Sequence, residues 1–237
     1  MAVHALLNDE VTPSDSSAKA VGPGRHDEVR YELSMRQQPV NARSCGFGDR
    51  DRRVVDPPPI IQLKIDAPGL SREEVGMRLR HPMNIVHCSI WSESGAEEMS
   101  GMPDEYTRQK RLMGNLVASP FVGVDEHGQE GCFFCFPDIS CRTPGKYRLK
   151  FSLVALDSRP GAKSPVKVEV LSDIFQTFSA KEFPGMSESS ALAKTLKHQG
   201  CNIPTKKGNE KGGKRDDSDD FSDEDELPRR KRTKNKQ

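Results

Sequence analysis

The residues best suited to chemistry are arginines close to the N-terminus. The segment Arg36–Arg53 carries five arginines in eighteen residues, and the stretch Arg30–Lys64 as a whole is basic. A guanidinium is planar and permanently charged, so it suits bidentate contacts to phosphate or to guanine edges, and Gly46 and Gly48 allow close backbone approach to a duplex. The other interpretation is a solvated loop whose arginines pair with Asp49, Asp51 and Asp56. Charge alone leaves both interpretations open.

Cysteine and histidine residues give no comparable signal for catalysis or metal binding. Cys132 and Cys135 have the spacing of a zinc-ligand pair, but three residues apart on a strand they face opposite ways, and no second pair has matching spacing. The histidines show no sequence pattern that would pair one of them with a thiol as a catalytic base. We therefore expect no metal, no other cofactor and no enzymatic activity. We also expect no structural disulfide, because the six cysteines are thinly spread through a long chain and a reducing compartment would keep them as thiols.

The elements that must position the arginines are predicted to be strands. Apolar and polar residues alternate in Tyr31–Arg36 and in Ile61–Ile65, and most clearly in Tyr147–Leu153, which we expect to be a core strand. Further strands are predicted at Asn84–Trp91, Leu116–Val124, Gly131–Phe136, Lys146–Leu156 and Val166–Leu171. Trp91, Phe133, Phe134 and Phe136 are expected in the core rather than stacked on bases. This pattern predicts an all-β sandwich or barrel.

Two segments favour helices over strands. Ser187–Ser190 supplies a cap, apolar residues follow at helical spacing from Ala191 to Leu196, and Gly200 ends the pattern. A second short helix is predicted around Asp104–Met113. The fold class is therefore all-β with minor helices.

Composition indicates one folded domain between two polar ends. Hydrophobic residues make up 34% and charged residues 30% of the 237 residues, and the charge is concentrated at the ends. We predict a disordered N-terminus over residues 1–26, a domain over 27–207 and a disordered tail over 208–237. No stretch resembles a signal peptide or a membrane span, so an intracellular protein without a membrane partner is expected.

The tail carries charge runs that the net charge of +1 conceals. The acidic run Asp216–Glu226 either competes with DNA for the basic patch, recruits a basic partner or serves as a solubilising spacer. The flanking cations resemble a bipartite nuclear localisation signal, which predicts a nuclear import receptor as partner and a nuclear location with shuttling from the cytoplasm. These cations are Lys214, Arg215, Arg229, Arg230, Lys231 and Arg232.

Several sequence blocks, taken in order, resemble one known family. The first runs through Gln37-Gln38-Pro39, Ala42-Arg43, Cys45-Gly46, Asp51-Arg52-Arg53 and Asp56-Pro57-Pro58-Pro59-Ile60. Later blocks are Arg111-Leu112-Met113-Gly114, Phe134–Ile139, Arg142–Leu149 and Phe183–Met186. Together they are similar to the fungal velvet family over about residues 27–207. The short domain with a charged tail looks more like its VosA-type branch than its VeA-type branch.

The resemblance implies both a fold and a function. The fold would be an immunoglobulin-like β-sandwich related to the DNA-binding domain of Rel-type transcription factors. The function would be transcription regulation in sporulation and secondary metabolism, through double-stranded DNA and through homodimers or heterodimers with another velvet protein. Carried over by position, the DNA-binding residues would be Arg36, Arg43, Arg50, Arg52 and Arg53. The alternative is a nuclear scaffold that pairs with velvet proteins and does not itself contact DNA.

Overall fold

The computed structural model describes residues 29–47, 52–102, 108–157, 159, 161 and 163–205. The predictions for both ends, for the import signal, for the acidic run and for Arg50 lie outside these residues. The strands are β1 Arg30–Gln37, β2 Asn41–Arg43, β3 Ile60–Asp66, β4 Asn84–Ser92, β5 Leu112–Gly114, β6 Val117–Ala118, β7 Phe121–Val124, β8 Glu130–Cys135, β9 Ile139–Cys141, β10 Gly145–Ala155, β11 Val166–Leu171 and β12 Phe175–Phe178. The helices are α1 Arg72–Leu79 and α2 Ala191–His198.

The strands form two main sheets and one two-stranded ribbon. The first sheet has the order β1-β3-β8-β7, and the second has the order β2-β12-β10-β4-β6, with β11 also paired to β10. Strands β5 and β9 form the ribbon. The pairing of β2 with β12 is parallel, and the other ladders are antiparallel. Strand β2 is thus an edge strand of the second sheet, and it lies within the arginine-rich segment.

The two main sheets bury one shared core. Leu63 and Phe134 enter it from the first sheet, while Leu149 and Phe151 enter it from the second. In β10 the buried residues are Tyr147, Leu149, Phe151 and Leu153, in strict alternation. That alternation buries one face of the strand and leaves the other half-exposed. The predictions of an all-β sandwich and of a core strand here are confirmed.

The first sheet is also covered on its outer face, by α2. Phe133 and Ile60 pack there against Leu192 and Leu196 of the helix. The Ser190 hydroxyl accepts a hydrogen bond from the backbone N–H of Ala193, which caps α2. The predicted C-terminal helix is therefore confirmed. The sequence alternation did not show that neighbouring phenylalanines of β8 would occupy two separate cores.

Two sequence predictions need correction. The helix expected around Asp104–Met113 is wrong over Leu112 and Met113, which lie in β5, because tertiary pairing with β9 overrides the local pattern; residues 103–107 lie outside the description. The single strand expected at Leu116–Val124 is two strands, β6 and β7, that belong to different sheets. The break falls at Pro120, which has no backbone N–H to donate to a ladder.

Several short elements were missed by the sequence patterns. Helix α1 begins with a capping box in which Ser71 and Glu74 bond each other's backbone N–H groups, but it buries none of its residues, so it lacks an apolar stripe. Strands β2 and β9 have three residues each, and β12 has four, which is too short for a period to register. Neither helix is long and apolar enough to cross a membrane, within the described residues.

Candidate nucleic-acid interface

The stretch of the arginine-rich region that follows β2 is held at both of its ends by strand β9. The backbone N–H of Cys45 donates to the carbonyl of Cys141 at 3.0 Å, and that of Val55 donates to the carbonyl of Ile139 at 2.7 Å. A further bond joins the N–H of Ser44 to the carbonyl of Phe178 at 2.8 Å. Because Ile139 and Cys141 are two positions apart on β9, the two ends of this stretch are attached to neighbouring positions of the same strand. We call residues 44–55 the arginine loop.

Arg52 is fixed where the arginine loop returns to the sandwich. Its Nη2 lies 2.6 Å from Oδ1 of Asp138 and 2.8 Å from the Asp138 carbonyl oxygen, and its Nε donates to the hydroxyl of Ser140 at 3.0 Å. Its side chain is 28% exposed, whereas that of Asp138 is 52% exposed. Such charge-assisted bonds fix the guanidinium geometrically. Arg52 therefore anchors the loop as well as adding charge to it.

Gly114 makes room for this anchor. Its φ is +99°, and a Cβ added there would lie 1.7 Å from the Asp138 carbonyl oxygen and 2.1 Å from Nη2 of Arg52. Other residue types would be both strained and in collision at this position. Gly114 ends the Arg111–Gly114 block that contributed to the family resemblance, but its relation to Arg52 is visible only in the tertiary structure.

Arg36 lies away from the arginine loop, on the outer face of the first sheet. Its Nη1 donates to Gln62 at 2.8 Å, and its Nη2 lies 3.1 Å from Asp125 and 3.2 Å from Glu126. The guanidinium carbon also lies 5.7 Å from the centre of the Phe133 ring. Two carboxylates thus compensate the charge of Arg36.

The carboxylate of Asp125 is a local acceptor as well as a counter-ion. Hydrogen bonds from the backbone N–H groups of Gln129 and then His127 hold its pKa below the usual value, with a further contribution from Arg36. Each of those two N–H groups lies 2.9 Å from Oδ1 of Asp125. The carboxylate therefore closes the turn between β7 and β8 and binds Arg36 on its other oxygen.

Of the remaining predicted contact residues, the structure describes Arg43 and Arg53. Arg43 ends β2, where its Cα is paired with that of Phe178, and its side chain is half-buried. Arg53 is exposed beside the anchored Arg52. The structure thus brings Arg43, Arg52 and Arg53 to the end of the sandwich at which β9 holds the loop, and separates Arg36 from them. Asp56, a proposed counter-ion, is buried and instead accepts the backbone N–H of Ser187 at 2.6 Å.

One further cation contacts the loop and two more lie on the segment that it joins to the loop, and the sequence patterns did not select these three as site residues. Arg142 donates from Nη1 to the Gly46 carbonyl at 2.9 Å and from Nε to the Lys110 carbonyl at 3.2 Å. Lys110 and Arg108 are exposed on the segment leading into β5. Arg142 begins one of the family-like blocks, which was the available signal, but its contact with the loop required knowledge of the fold.

The neighbouring Arg111 is buried and has a structural environment. It is 9% exposed, and it donates to the carbonyls of Met99 and Gly101 and to the hydroxyls of Thr143 and Tyr147. Its guanidinium carbon lies 5.5 Å from the centre of the Tyr147 ring. Neutral oxygens, rather than a carboxylate, satisfy this cation. Arg111 therefore attaches to the core the segment on which Lys110 lies.

The cysteines lie in the core or support it. Cys132 faces the main core, whereas Cys135 faces the cluster under α2, where its sulfur lies 3.4 Å from that of Cys201. The expectation that Cys132 and Cys135 face opposite ways is confirmed. Burial raises the pKa of Cys132 to about 12, so its thiolate is scarce at neutral pH. Among the described residues, no three or more His, Cys, Asp or Glu side chains are grouped as metal ligands.

The fold is a β-sandwich that carries an arginine-rich loop, and comparison with known proteins gives its family. The family model for "Velvet factor" matches residues 31–111 and 97–210. The "Sexual development regulator VELC" of Pyricularia oryzae is 59% identical over 185 residues, which are 77% of this chain and 42% of that protein. The "Spore development regulator vosA" of Beauveria bassiana is 59% identical over 199 residues, 79% of this chain and 72% of that protein.

The chain belongs to the velvet family, and the predicted family membership is confirmed. A VelC and a VosA protein match it at the same identity, so identity alone does not separate those two branches. The chain spans about half the length of two of its relatives, 42% of VELC from P. oryzae and 47% of velC from Gibberella moniliformis. Its relatives also include the "Developmental and secondary metabolism regulator MVE1" of Zymoseptoria tritici, at 33% identity over 223 residues.

Proposed function

We propose that this velvet protein is a nuclear regulator of fungal development that binds double-stranded DNA through the arginine loop. Relatives named as regulators of sexual development, spore development and secondary metabolism support the regulatory role. DNA contact rests on the loop itself. The chain would act by occupying DNA near the genes it regulates, without catalysing a reaction.

The observation that carries the proposal is the attachment of both loop ends to β9. Cys45 and Val55 bond positions two residues apart on that strand, so both ends of the loop are fixed to the sandwich. Arg53 lies within it beside the anchored Arg52, and Arg43 lies just before it at the end of β2. A rigid scaffold lowers the entropy lost when the arginines order on a duplex. Most of the affinity would come from phosphate contacts, and it would therefore fall as salt is added.

The five predicted contact residues would contribute unequally. Arg36 already has Asp125 and Glu126 as counter-ions, so its net attraction for phosphate would be reduced. Arg52 forms an ion pair with Asp138, and it would both hold the loop and contribute to the positive electrostatic potential that attracts DNA. Arg53 is exposed in the loop and would make a direct contact, and Arg43 and Arg50 are proposed as further contacts.

A salt titration with purified protein tests DNA binding. The probe is a duplex enriched by the wild-type protein from a random-sequence library, and its affinity is measured by fluorescence anisotropy between about 50 and 200 mM salt. We expect a straight line of log affinity against log salt. The Arg52→Ala/Arg53→Ala variant should bind more weakly at each concentration. Lys163→Ala/Lys167→Ala, which removes two exposed cations at or near β11, is the charge-matched control.

Two outcomes would contradict the proposal. If the wild-type protein enriched no duplex, DNA contact by this chain alone would be wrong. If the loop variant and the control weakened binding equally, binding would reflect net charge and the assignment of the loop would be wrong. Thermal unfolding of each variant establishes that the comparison is made between folded proteins.

The second candidate function is a scaffold that pairs with another velvet protein. It is favoured by similarity to "Velvet complex subunit 2" of Gibberella moniliformis, which is 28% identical over 275 residues, 75% of this chain and 61% of that protein. Under this candidate the chain alone would not shift DNA, but a mixture with a velvet partner would. The same anisotropy measurement, repeated after adding a co-expressed velvet partner, separates the two functions.

Nuclear import would be supplied by the basic clusters of the tail. We propose that Lys214 and Arg215, with Arg229–Arg232, bind an import receptor. A fluorescent fusion of the full chain should collect in nuclei. The same fusion with Arg229–Arg232 changed to alanine should remain in the cytoplasm, whereas the Arg52→Ala/Arg53→Ala fusion should still enter nuclei. Equal distribution of all three would contradict this location.

A further inference from the structure

A row of cations lies directly beside the arginine loop, on a different part of the chain. Arg108 and Lys110 are both exposed on the segment that leads into β5, and Arg142 donates hydrogen bonds to the carbonyls of Lys110 and of Gly46 in the loop. We call Arg108, Lys110 and Arg142 the cation row. Almost a hundred residues separate Arg142 from Gly46 in the sequence, but a hydrogen bond joins them.

Backbone bonds fix the cation row relative to the arginine loop. The N–H of Gly46 donates to the carbonyl of Arg142 at 3.0 Å, while Nη1 of Arg142 donates back to the Gly46 carbonyl at 2.9 Å. On the other side, the N–H of Arg142 donates to the Arg111 carbonyl at 2.9 Å, and Nε of Arg142 reaches the Lys110 carbonyl. Lys110 is thus held between the buried Arg111 and the loop-bound Arg142. The two basic segments form one surface.

Within the described residues, carboxylates do not compensate the charges of the cation row. None of the ion pairs formed between described residues includes Arg108, Lys110 or Arg142. The described partners of Arg142 are carbonyl oxygens, which satisfy its N–H groups but leave its net charge intact. Asp138, the carboxylate at the end of the loop, is already bonded to Arg52. This surface is therefore more positive than the number of arginines in the loop indicates.

We propose that the cation row is a second line of DNA contact, in which Arg108 and Lys110 bind backbone phosphates next to those bound by the arginine loop. This inference rests on the proposed function and adds residues to it. Exposed cations held at fixed distance from a DNA-binding loop fit a polyanion with regularly spaced charges. Phosphate contacts of this kind set the register of the protein on the duplex without reading its sequence.

The test is a salt titration of the full chain with the DNA duplex selected by the wild-type protein. The Arg108→Ala/Lys110→Ala variant should bind about tenfold more weakly at low salt, and its slope of log affinity against log salt should be less steep by about 2, one unit for each phosphate that the variant no longer binds. The control, Lys163→Ala/Lys167→Ala, removes the same charge. Lys167 is adjacent to Val166, which pairs with Val154 near the end of β10 that is remote from Arg142.

The possible outcomes separate this inference from the proposed function. If the wild-type protein does not bind DNA, the proposed function and the inference both fail. If Arg52→Ala/Arg53→Ala weakens binding but Arg108→Ala/Lys110→Ala keeps the wild-type affinity and slope, only the inference is overturned. If the control variant loses as much affinity as the cation-row variant, the effect is one of net charge and the inference is again overturned.

One other result would also overturn it. The acidic run Asp216–Glu226 of the same chain is a rival polyanion for these cations. If it occupied the cation row, Arg108→Ala/Lys110→Ala would release no DNA contact, and affinity for the duplex would rise or stay the same. Both substituted side chains are exposed, so thermal unfolding should be unchanged and a loss of affinity would report on binding.

Discussion

Lys110 and Arg111 are neighbours in the chain, but they belong to two different electrostatic regions of the molecule. Arg111 is 9% exposed and donates hydrogen bonds to four oxygens around the Tyr147 ring. Lys110 is exposed in the cation row beside the arginine loop, and we call this exposed surface the rim. In the first region the hydrogen bonds of a buried cation stabilise the interior. The second leaves its cations facing solvent.

The contrast between these regions lies in the partners of the charge. At Arg111 the donors meet fixed neutral oxygens in a nearly dry setting, where each bond is strong and its removal is costly. At the rim, water solvates the charge, so removing it costs little stability but weakens attraction for a polyanion. Arg36 and Arg52 are intermediate, since both are partly buried and carry carboxylate partners. Substitutions in the two regions should therefore change different measurements.

Arg111→Met should have the largest effect on stability. It removes the donors of four hydrogen bonds, of which only the two to the Thr143 and Tyr147 hydroxyls have acceptors that still bond each other, and we expect this to cost about 3–5 kcal/mol in the free energy of unfolding. Urea unfolding followed by tryptophan fluorescence measures the change. The matched control, Arg108→Met on the rim, should alter stability by no more than about 0.5 kcal/mol. Similar losses in both variants would break the division into two regions.

Gly114→Ala should follow in size. The added Cβ would collide with the Asp138 carbonyl and with Arg52, and the backbone at φ +99° is strained for alanine, at about 1–3 kcal/mol for the conformation alone. Urea unfolding gives the stability change. The Gly128→Ala variant is the control, because its φ of +78° carries similar strain but no atom lies within 4 Å of the added Cβ. Equal destabilisation of both variants would mean that contact with Arg52 is unimportant.

Arg53→Ala and Arg52→Ala should both weaken DNA binding, but for different reasons. Loss of the exposed Arg53 should lower affinity roughly threefold and reduce the salt slope by about 1, because one phosphate is no longer bound. Loss of the anchored Arg52 should weaken binding through a misplaced loop, with a smaller change in slope. Anisotropy across a salt series measures both quantities. An equal reduction in slope would place Arg52 among the direct contacts rather than the anchors.

The smallest effect should be a shift in the acid titration of Asp125. Hydrogen bonds from the N–H groups of Gln129 and His127, then Arg36, lower its pKa in the folded state. The stability it contributes is therefore fully present above the unfolded value of about 3.9 and is lost as pH falls through the lower folded value. Arg36→Met should raise that folded pKa and reduce the contribution.

A carbon-detected NMR titration of the Asp125 carboxyl group measures this shift directly. Lys163→Met removes one exposed positive charge without touching Asp125 and should leave its pKa unchanged. An unchanged pKa in Arg36→Met would show that the backbone donors alone set the value. The ion pair between Arg36 and Asp125 would then be electrostatically unimportant, and Arg36 would behave like the solvent-exposed cations.

Much of the β-sandwich was predictable from the sequence because one face of each long strand is buried. The alternation in β10 and the helix cap before α2 both had local signals that the structure bears out. Helix α1 had a capping box but no apolar face, and β2, β9 and β12 were too short to show a period. The helix expected over Leu112 and Met113 failed because pairing with β9 is a long-range contact.

The candidate site was predictable only as a set of charges. The sequence by itself determined that arginines are concentrated between β1 and β3, and its ordered blocks identified the velvet family. Only the tertiary structure decided that Arg36 faces Asp125, that Arg52 is anchored past Gly114, and that Lys110 lies beside the loop. The reason is that a residue's charge is fixed by its type, whereas the atoms that compensate it come from distant parts of the chain.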